Sequence, residues 1–416
     1  MPDAHHRSSN GVPVGTSEYH GETMRRRLHV LAVIESVYHD FGFDPLHTPI
    51  LEHEEVFRGH HGDGEKLQFR FTDSLGRPLV LRYDLTVPLA RYVAEHPDAP
   101  IPFKRYQIGN VFRDDSVDRG HFREFTQCDG DIIGASTLSL DADIVRMAYT
   151  GLSRLRFPAF IIRINHRKII AAIANMAGLH GAEGRLTIQR AMDYADKVTK
   201  DGIAGVQRDL ESQGLPAIAI ETIIGILGLT GTVEEKLATL GQILCGEADG
   251  AQGIAELREI ISYLSPDVMQ TVELDLSLAR GADYYTGFIL EGVIPGVKVG
   301  AVLGGGRYDH LVHDLGGPDL PSIGMAFGLE RIITALTDLD LWPQQCGKQR
   351  VLVVPTEYQL ERRLFAVVHE LRVQGIAADY MPLIGQTEAL ARQYARSRGF
   401  THIVLYEEHI AVPALV

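Results

Sequence analysis

Cysteine is scarce in this sequence. Cys128, Cys245 and Cys346 are far apart and form no CxxC pair, which excludes a disulfide framework and a cysteine zinc site and fits a reducing, cytoplasmic setting. No apolar run approaches the roughly 20 residues of a membrane span. The opening MPDAHHRSSNGVPVG lacks the apolar core of a signal peptide and reads as a flexible tail over residues 1–15. Basic residues are in deficit: 40 Lys and Arg against 54 Asp and Glu leave a formal charge of -14. That argues against non-specific nucleic-acid binding while leaving room for a local basic site. What remains is ordinary globular composition, 45% hydrophobic and 23% charged, at a length that allows two or three domains.

From Thr23, apolar residues at Leu28, Leu31, Ile34 and Val37 predict a helix that ends at Gly42. QFRFTD and LVLRYD, joined by a Gly76–Pro78 turn, read as a hairpin, and Phe103–Phe112 and Phe122–Ile133 as two longer strands. Strands joined this closely imply an antiparallel sheet, hence an α+β class. Phe160–Ile164 is a further strand. After it, about 167–270 carries helical patterning with breaks near Gly202, Gly214–Pro216 and Gly231, and reads as a helical insertion. Strands are expected again at Phe288–Val293 and Val297–Leu303, then a helix over Phe327–Leu336. Residues 338–349 look like a linker. Beyond it, strands at Val351–Pro355, Ala377–Tyr380 and His402–Tyr406 alternate with helices over Tyr358–Gln374 and Gln386–Arg398, a small parallel or mixed α/β domain spanning 350–416.

Site-like residues concentrate between Leu81 and Asp131. Asp84 and Thr86 are two apart at an expected strand end and would share a face. Arg123, Phe125, Gln127, Asp129 and Asp131 alternate along the next strand: a guanidinium, an aromatic ring, an amide and two carboxylates on one face. Further candidates lie in ARGADYYTG, in GGGRYD and in GMAFGLERI with Arg331. Tyr284 and Tyr285 would point to opposite faces if extended, so that only one could line a given wall. Gly304–Gly306 reads either as a simple turn or as backbone approaching a ligand.

In order along the chain, RYDLTVPLARYVA, FKRYQIGNVFRDD with RGHFREFTQCDGDIIG, LSLARGADYYTGFILE, GGGRYD and GMAFGLERI resemble the motif set of the histidyl-tRNA synthetase family, in its eukaryotic and archaeal style. The resemblance runs from about Gly15 to Gly399. It implies a class II synthetase core over 16–337, an antiparallel sheet flanked by helices, followed by an anticodon-binding-like domain that is shortened. It implies activation of histidine with ATP and Mg2+, transfer to tRNA(His), and a homodimer built by a motif around Pro49.

By the same resemblance Arg113 and Arg280 would be catalytic, acting on the α-phosphate. Phe125 and Arg331 would sandwich the adenine near Asp115. Asp84 and Thr86 would take the amino acid's ammonium, with Gln127 nearby, Asp131 and Tyr285 would bind the imidazole nitrogens, and Leu85 and Tyr284 would belong to the same histidine site. No metal ligand set is implied. The chain departs from the family at Asp114, Asp115 and Asp118, where basic residues are usual, at His121 and Ser17, usually arginine, and at Ala282, usually leucine. Residues 350–416 hold seven Arg and seven Asp or Glu without a lysine. Two alternatives stay open on these grounds: a paralogue that activates histidine or an analogue for a non-tRNA acceptor, and a histidine-sensing regulatory subunit of ATP phosphoribosyltransferase.

Overall fold

The computed structural model describes the chain apart from residues 1–10, 61, 182–183, 185–186, 189–201, 213, 280–283, 344–348, 356–360, 382–387 and 407–416. The expected roles of Arg280, Ala282 and Cys346, and the first ten residues of the expected tail, therefore lie outside the described residues. By contacts the chain divides into two compact units. One joins the residues up to Thr16 with Val33–Leu339, the other Ser17–Ala32 with the residues from Asp340 on.

The first unit contains β1 (Asp44–Pro45), β2 (Leu51–His53), β3 (Arg70–Thr72), β4 (Pro78–Leu81), β5 (Phe103–Phe112), β6 (Glu124–Ile133), β7 (Ile161–His166), β8 (Val272–Leu274), β9 (Phe288–Val293), β10 (Leu303–Arg307) and β11 (Ser322–Gly328). Eight of them form one sheet in the order β1-β5-β6-β11-β10-β9-β7-β8, and β2-β4-β3 form a small second sheet. Pairing from β5 across to β7 is antiparallel throughout, as the short connections from β5 to β6 and from β9 to β10 require for those two pairs. The edge strands β1 and β8 add in parallel, which the sequence reading did not foresee.

Helices α1 (Gly21–Asp40), α2 (Thr86–Glu95) and α3 (Ser139–Arg154) precede or follow these strands. Of the stripe expected on α1, Ile34 and Val37 are buried as expected and Leu28 is exposed; Val30 and Tyr38 join the buried face at helical spacing. One face of β6 is closed by α1 and α3. A Cβ on Gly130 would fall 2.6 Å from the Tyr38 ring and 3.3 Å from Met147, so only glycine lets both side chains pack there. The Tyr38 hydroxyl donates to the carbonyl of Cys128 beside it. On β11, the Phe327 ring is met in the same way by Gly151 of α3. With one face of the strands filled by this core, the other is left for the odd-numbered residues of β6.

The expected insertion holds α4 (Arg167–Met176), α5 (Gly202–Ser212), α6 (Ala217–Leu227), α7 (Val233–Ile243) and α8 (Ala248–Ser262). Thr232 and Glu235 form a reciprocal capping box at the start of α7. Gly250 and Gly253 let α8 approach α4, each leaving only 3.0 Å for a Cβ against Ala172 or Ile169.

Two expectations near the end of this unit shift. The strand placed at Val297–Leu303 runs over Leu303–Arg307, because Gly296 and Gly300 turn the chain with φ of +81° and +69° in the preceding segment. Strand β11 was not anticipated from its glycine-rich SIGMAFG, and the following helix is α9 (Leu329–Asp338).

In the second unit β12 (Arg350–Pro355), β13 (Ala377–Tyr380) and β14 (His402–Tyr406) pair in parallel in the order β13-β12-β14. Val351 and Val353 pack with Leu364 and Val368 of α10 (Glu361–Val373), and Leu352 and Val354 with Ala391 and Ala395 of α11 (Glu388–Arg398). Burial on both faces is why VLVVP is uninterruptedly apolar.

Candidate active site

A cavity of about 430 Å³ opens on the sheet face turned away from Tyr38 and Met147. Phe125, Gln127, Asp129 and Asp131 stand along it on β6, as strand alternation predicts. Opposite them β11 offers only small residues: Gly328 pairs with Gln127, Ala326 with Asp129 and Gly324 with Asp131. A Cβ on Gly324 would fall 1.9 Å from Asp131 Oδ1, so glycine is required for the carboxylate to occupy this space. Gly304–Gly306 is not a turn but strand β10, and a Cβ on Gly306 would come within 2.7 Å of the Phe288 carbonyl and 3.1 Å of the Tyr285 ring. The cavity floor is thus cleared by glycine where polar side chains and a ligand need room.

The buried end of the cavity is rich in acceptors. The hairpin register sets Arg105 directly across from Asp131, with Nη2 3.2 Å from Oδ2. Tyr308 donates to Asp131 Oδ1 at 2.6 Å. Asp129 Oδ1 and Gln127 Oε1 are buried and accept no hydrogen bond from any described residue. Asp84 caps α2, accepting from the Val87 N–H at 3.0 Å through Oδ1, while Oδ2 accepts from the Tyr284 hydroxyl at 3.4 Å. Burial pushes the Asp129 carboxyl well above its usual range, and the Asp131 charge raises it further, against Arg105. Asp131 is raised by burial too, with Arg105 opposing. Three carboxylates around one buried guanidinium favour a cationic ligand carrying several N–H donors.

The outer end is cationic and aromatic. The Arg113 guanidinium, just beyond β5, lies 4.2 Å from the Tyr83 ring centre and 5.1 Å from that of Phe125. Arg331, in the first turn of α9, reaches the same cavity and donates through Nη1 to the Ala301 carbonyl at 2.8 Å. Asp115 lines this end, its Oδ1 accepting from the Ser116 N–H at 2.6 Å. Glu330 is turned under β6, where Oε2 accepts from the Thr126 N–H at 3.0 Å. Such an end suits an anionic ligand with a flat ring.

Of the residues singled out from sequence, Arg113, Asp84, Thr86, Gln127, Asp131, Tyr284, Tyr285, Asp115, Phe125 and Arg331 all line this one cavity. Four local expectations are corrected. Asp84 and Thr86 converge not by strand alternation but because one precedes and the other begins α2. Tyr284 and Tyr285 both line the cavity, in edge-to-face contact 5.2 Å apart, since the chain there is not an extended strand. Leu85 is fully buried away from the lining, and its carbonyl accepts from Arg105 Nη2 at 2.8 Å. Arg123 belongs to the connection, paired with Asp114 at 3.2 Å. Arg105 and Tyr308 were not picked out; Asp129 was placed on this face by alternation without a part in the site, and its Oδ1 is a buried acceptor. Arg105 was within reach of hairpin register, whereas the Tyr308 contact closes over 177 residues.

Residues 15–332 match the sequence model of the family described as Histidyl-tRNA synthetase. The chain is 41% identical over 333 residues to a histidine–tRNA ligase of Aeropyrum pernix, covering 79% of this chain and 75% of that protein. It is 33% identical over 429 residues to a histidine–tRNA ligase of Gloeobacter violaceus, covering 95% and 91%. Among solved structures, the histidyl-tRNA synthetase from Nostoc superposes with a TM-score of 0.79 at 28% identity, covering 95% of this chain and 90% of that one.

Proposed function

Because the chain belongs to the histidyl-tRNA synthetase family, we propose that it activates histidine with ATP as histidyl-adenylate and transfers the histidyl group to tRNA(His) in the cavity described above. The observation that carries this reading is the division of one cavity into a buried, acceptor-rich end and an arginine- and aromatic-lined end. Histidine supplies an ammonium and ring N–H donors for the first, and ATP a triphosphate and an adenine for the second. Magnesium enters as part of the Mg·ATP substrate.

In this reading Asp84, Thr86 and Gln127 receive the ammonium, and Asp131 and Tyr285 the two imidazole nitrogens, with Tyr284 holding Asp84 and Asp129 adding an acceptor. An amino acid without ring nitrogens would leave these buried groups unmatched, a penalty large enough to set specificity. Phe125 and Arg331 enclose the adenine beside Asp115. The histidine carboxylate oxygen attacks the α-phosphorus, the bond to pyrophosphate breaks, and Arg113 stabilises the charge that develops. The resemblance assigns Arg280 to the other side of the same phosphate. In the second step a ribose hydroxyl of the tRNA attacks the acyl carbon and AMP leaves.

Several charged side chains of the connection after β5 have partners within the protein. Asp114 is paired with Arg123, Asp118 contacts His121, and Arg119 is bound to Asp338. A homodimer is supported by Ile50, Leu51 and Phe71, which are 41%, 50% and 40% exposed on or beside the small sheet. We propose a cytoplasmic location; no described helix is long and apolar enough to cross a membrane.

The test is exchange of labelled pyrophosphate into ATP with each of the twenty amino acids, followed by charging of a tRNA(His) transcript. Exchange with histidine alone and charging of the transcript are expected. Exchange with another amino acid, or none, would overturn the assignment. Exchange without charging would replace tRNA by another acceptor.

A further inference from the structure

The polar connection between β5 and β6 carries a turn whose contacts the scheme above leaves unused. Asp118 and His121 bridge as the ends of a tight turn, with the His121 N–H donating to the Asp118 carbonyl at 3.2 Å. Gly120 occupies its third position at φ +88°, the left-handed value a type II turn needs there. The turn reaches Arg331, 210 residues on, from two sides. Arg331 Nε donates to the Gly120 carbonyl at 3.4 Å, and Nη2 lies 2.6 Å from His121 Nε2. With Nη1 on the Ala301 carbonyl at 2.8 Å, each nitrogen of the guanidinium has an acceptor.

A guanidinium only donates, so the Arg331 contact requires an unprotonated His121 Nε2. The ring proton then sits on Nδ1, which faces Asp118 Oδ1. Asp118 thereby selects the tautomer that Arg331 needs, as a carboxylate does behind a metal-bound or catalytic histidine. Three contacts, one to each nitrogen, hold the orientation of a group whose flat face is what an adenine ring would meet.

We infer that His121 is a positioning residue: it fixes the plane of Arg331 for the base of ATP, with Asp118 fixing His121 in turn. This inference rests on the proposed placement of ATP in the cavity. It assigns His121 a role other than that of a cation for the phosphates, which is what an arginine at this position would supply. The two roles differ in what a neutral substitute can do: an acceptor that carries no charge serves the orientation of Arg331 but not the phosphates. The other charged groups lining this end are Arg113 and Asp115 from the same connection, Glu291 from β9 and Glu330 beside Arg331; Arg119 of the turn is bound to Asp338. A neutral variant that keeps an acceptor therefore separates the two roles.

The experiment measures histidine-dependent pyrophosphate exchange for the wild-type chain, His121→Ala and His121→Gln. Circular dichroism and thermal melting serve to check that each variant folds. His121→Ala is expected to raise KM for ATP on the order of tenfold, the size of one lost hydrogen bond to a charged group at a half-exposed site. KM for histidine and kcat should stay within about twofold. His121→Gln, whose amide oxygen can accept from Nη2, should remain within about threefold of wild type. An unchanged KM for ATP in His121→Ala, or a glutamine variant as impaired as the alanine one, would each overturn the inference. Absence of exchange in the wild type would overturn the proposed function and this inference together.

Discussion

Replacing Asp129 by asparagine preserves the shape of the side chain and removes one of the three carboxylates at the buried end of the cavity. Asp129 is 2% exposed, and its Oδ1 accepts no hydrogen bond from any described residue. In the ligand-free protein its charge is therefore a liability, opposed by the burial of the group and by Asp131 and only partly offset by Arg105. The sign of the linkage follows. A carboxyl whose folded pKa is raised holds its proton over a pH window in which the unfolded chain has released it. The ligand-free protein then gains stability as pH falls from the raised value toward about 4, the ordinary carboxylate value. The Asp129→Asn variant would lack this dependence. If relief of the buried charge is worth about 1 kcal/mol, the melting temperature of that variant, free of ligand at neutral pH, should rise by roughly 1–2 °C for a chain of this length. Histidine binding should change the other way. Loss of a charged hydrogen bond to the ligand, about 1.5–3 kcal/mol, corresponds to a KM for histidine raised roughly 10- to 100-fold, with KM for ATP nearly unchanged. Pyrophosphate exchange at varied histidine and thermal scans at several pH values check both halves. An unaltered KM for histidine together with an unaltered melting temperature would refute the picture of a carboxylate kept ionised for the ligand's sake.

Arg280→Ala should abolish adenylate formation, read as pyrophosphate exchange, while leaving the melting temperature within a degree or so; normal exchange would remove Arg280 from the reaction. Gly306→Ala should both destabilise the protein and impair exchange, because the added Cβ meets the Phe288 carbonyl at 2.7 Å and the Tyr285 ring at 3.1 Å; a variant with normal melting and normal KM for histidine would contradict the close packing of that floor. Asp141→Ala leaves the Arg307 guanidinium, 6% exposed, with the more distant Asp309 carboxylate at 3.5 Å and the Ala135 carbonyl at 3.4 Å. It should cost about 3 kcal/mol of stability, measured by urea denaturation; a loss below roughly 1 kcal/mol would show that Asp309 can replace it.

Local periodicity was the part of this protein that could be read directly. Alternation along Glu124–Ile133 places Phe125, Gln127 and Asp131 on one face wherever the strand lies, since side-chain direction in a strand repeats every two residues. VLVVP was legible as a strand of a small α/β domain, and α10 and α11 cover its two faces. The ordered motifs likewise sufficed to indicate the family. Tertiary structure decided what those residues meet. Tyr284 and Tyr285 share a cavity because the chain turns there, and Asp84 serves the site as the cap of a helix. Asp131 is held by Arg105 across a hairpin and by Tyr308 from 177 residues away, and Arg331 is held by a turn 210 residues before it. Contacts of that separation depend on how the whole sheet closes. No local pattern encodes them, because the ordering of the intervening chain that brings the partners together is spread over every strand between them.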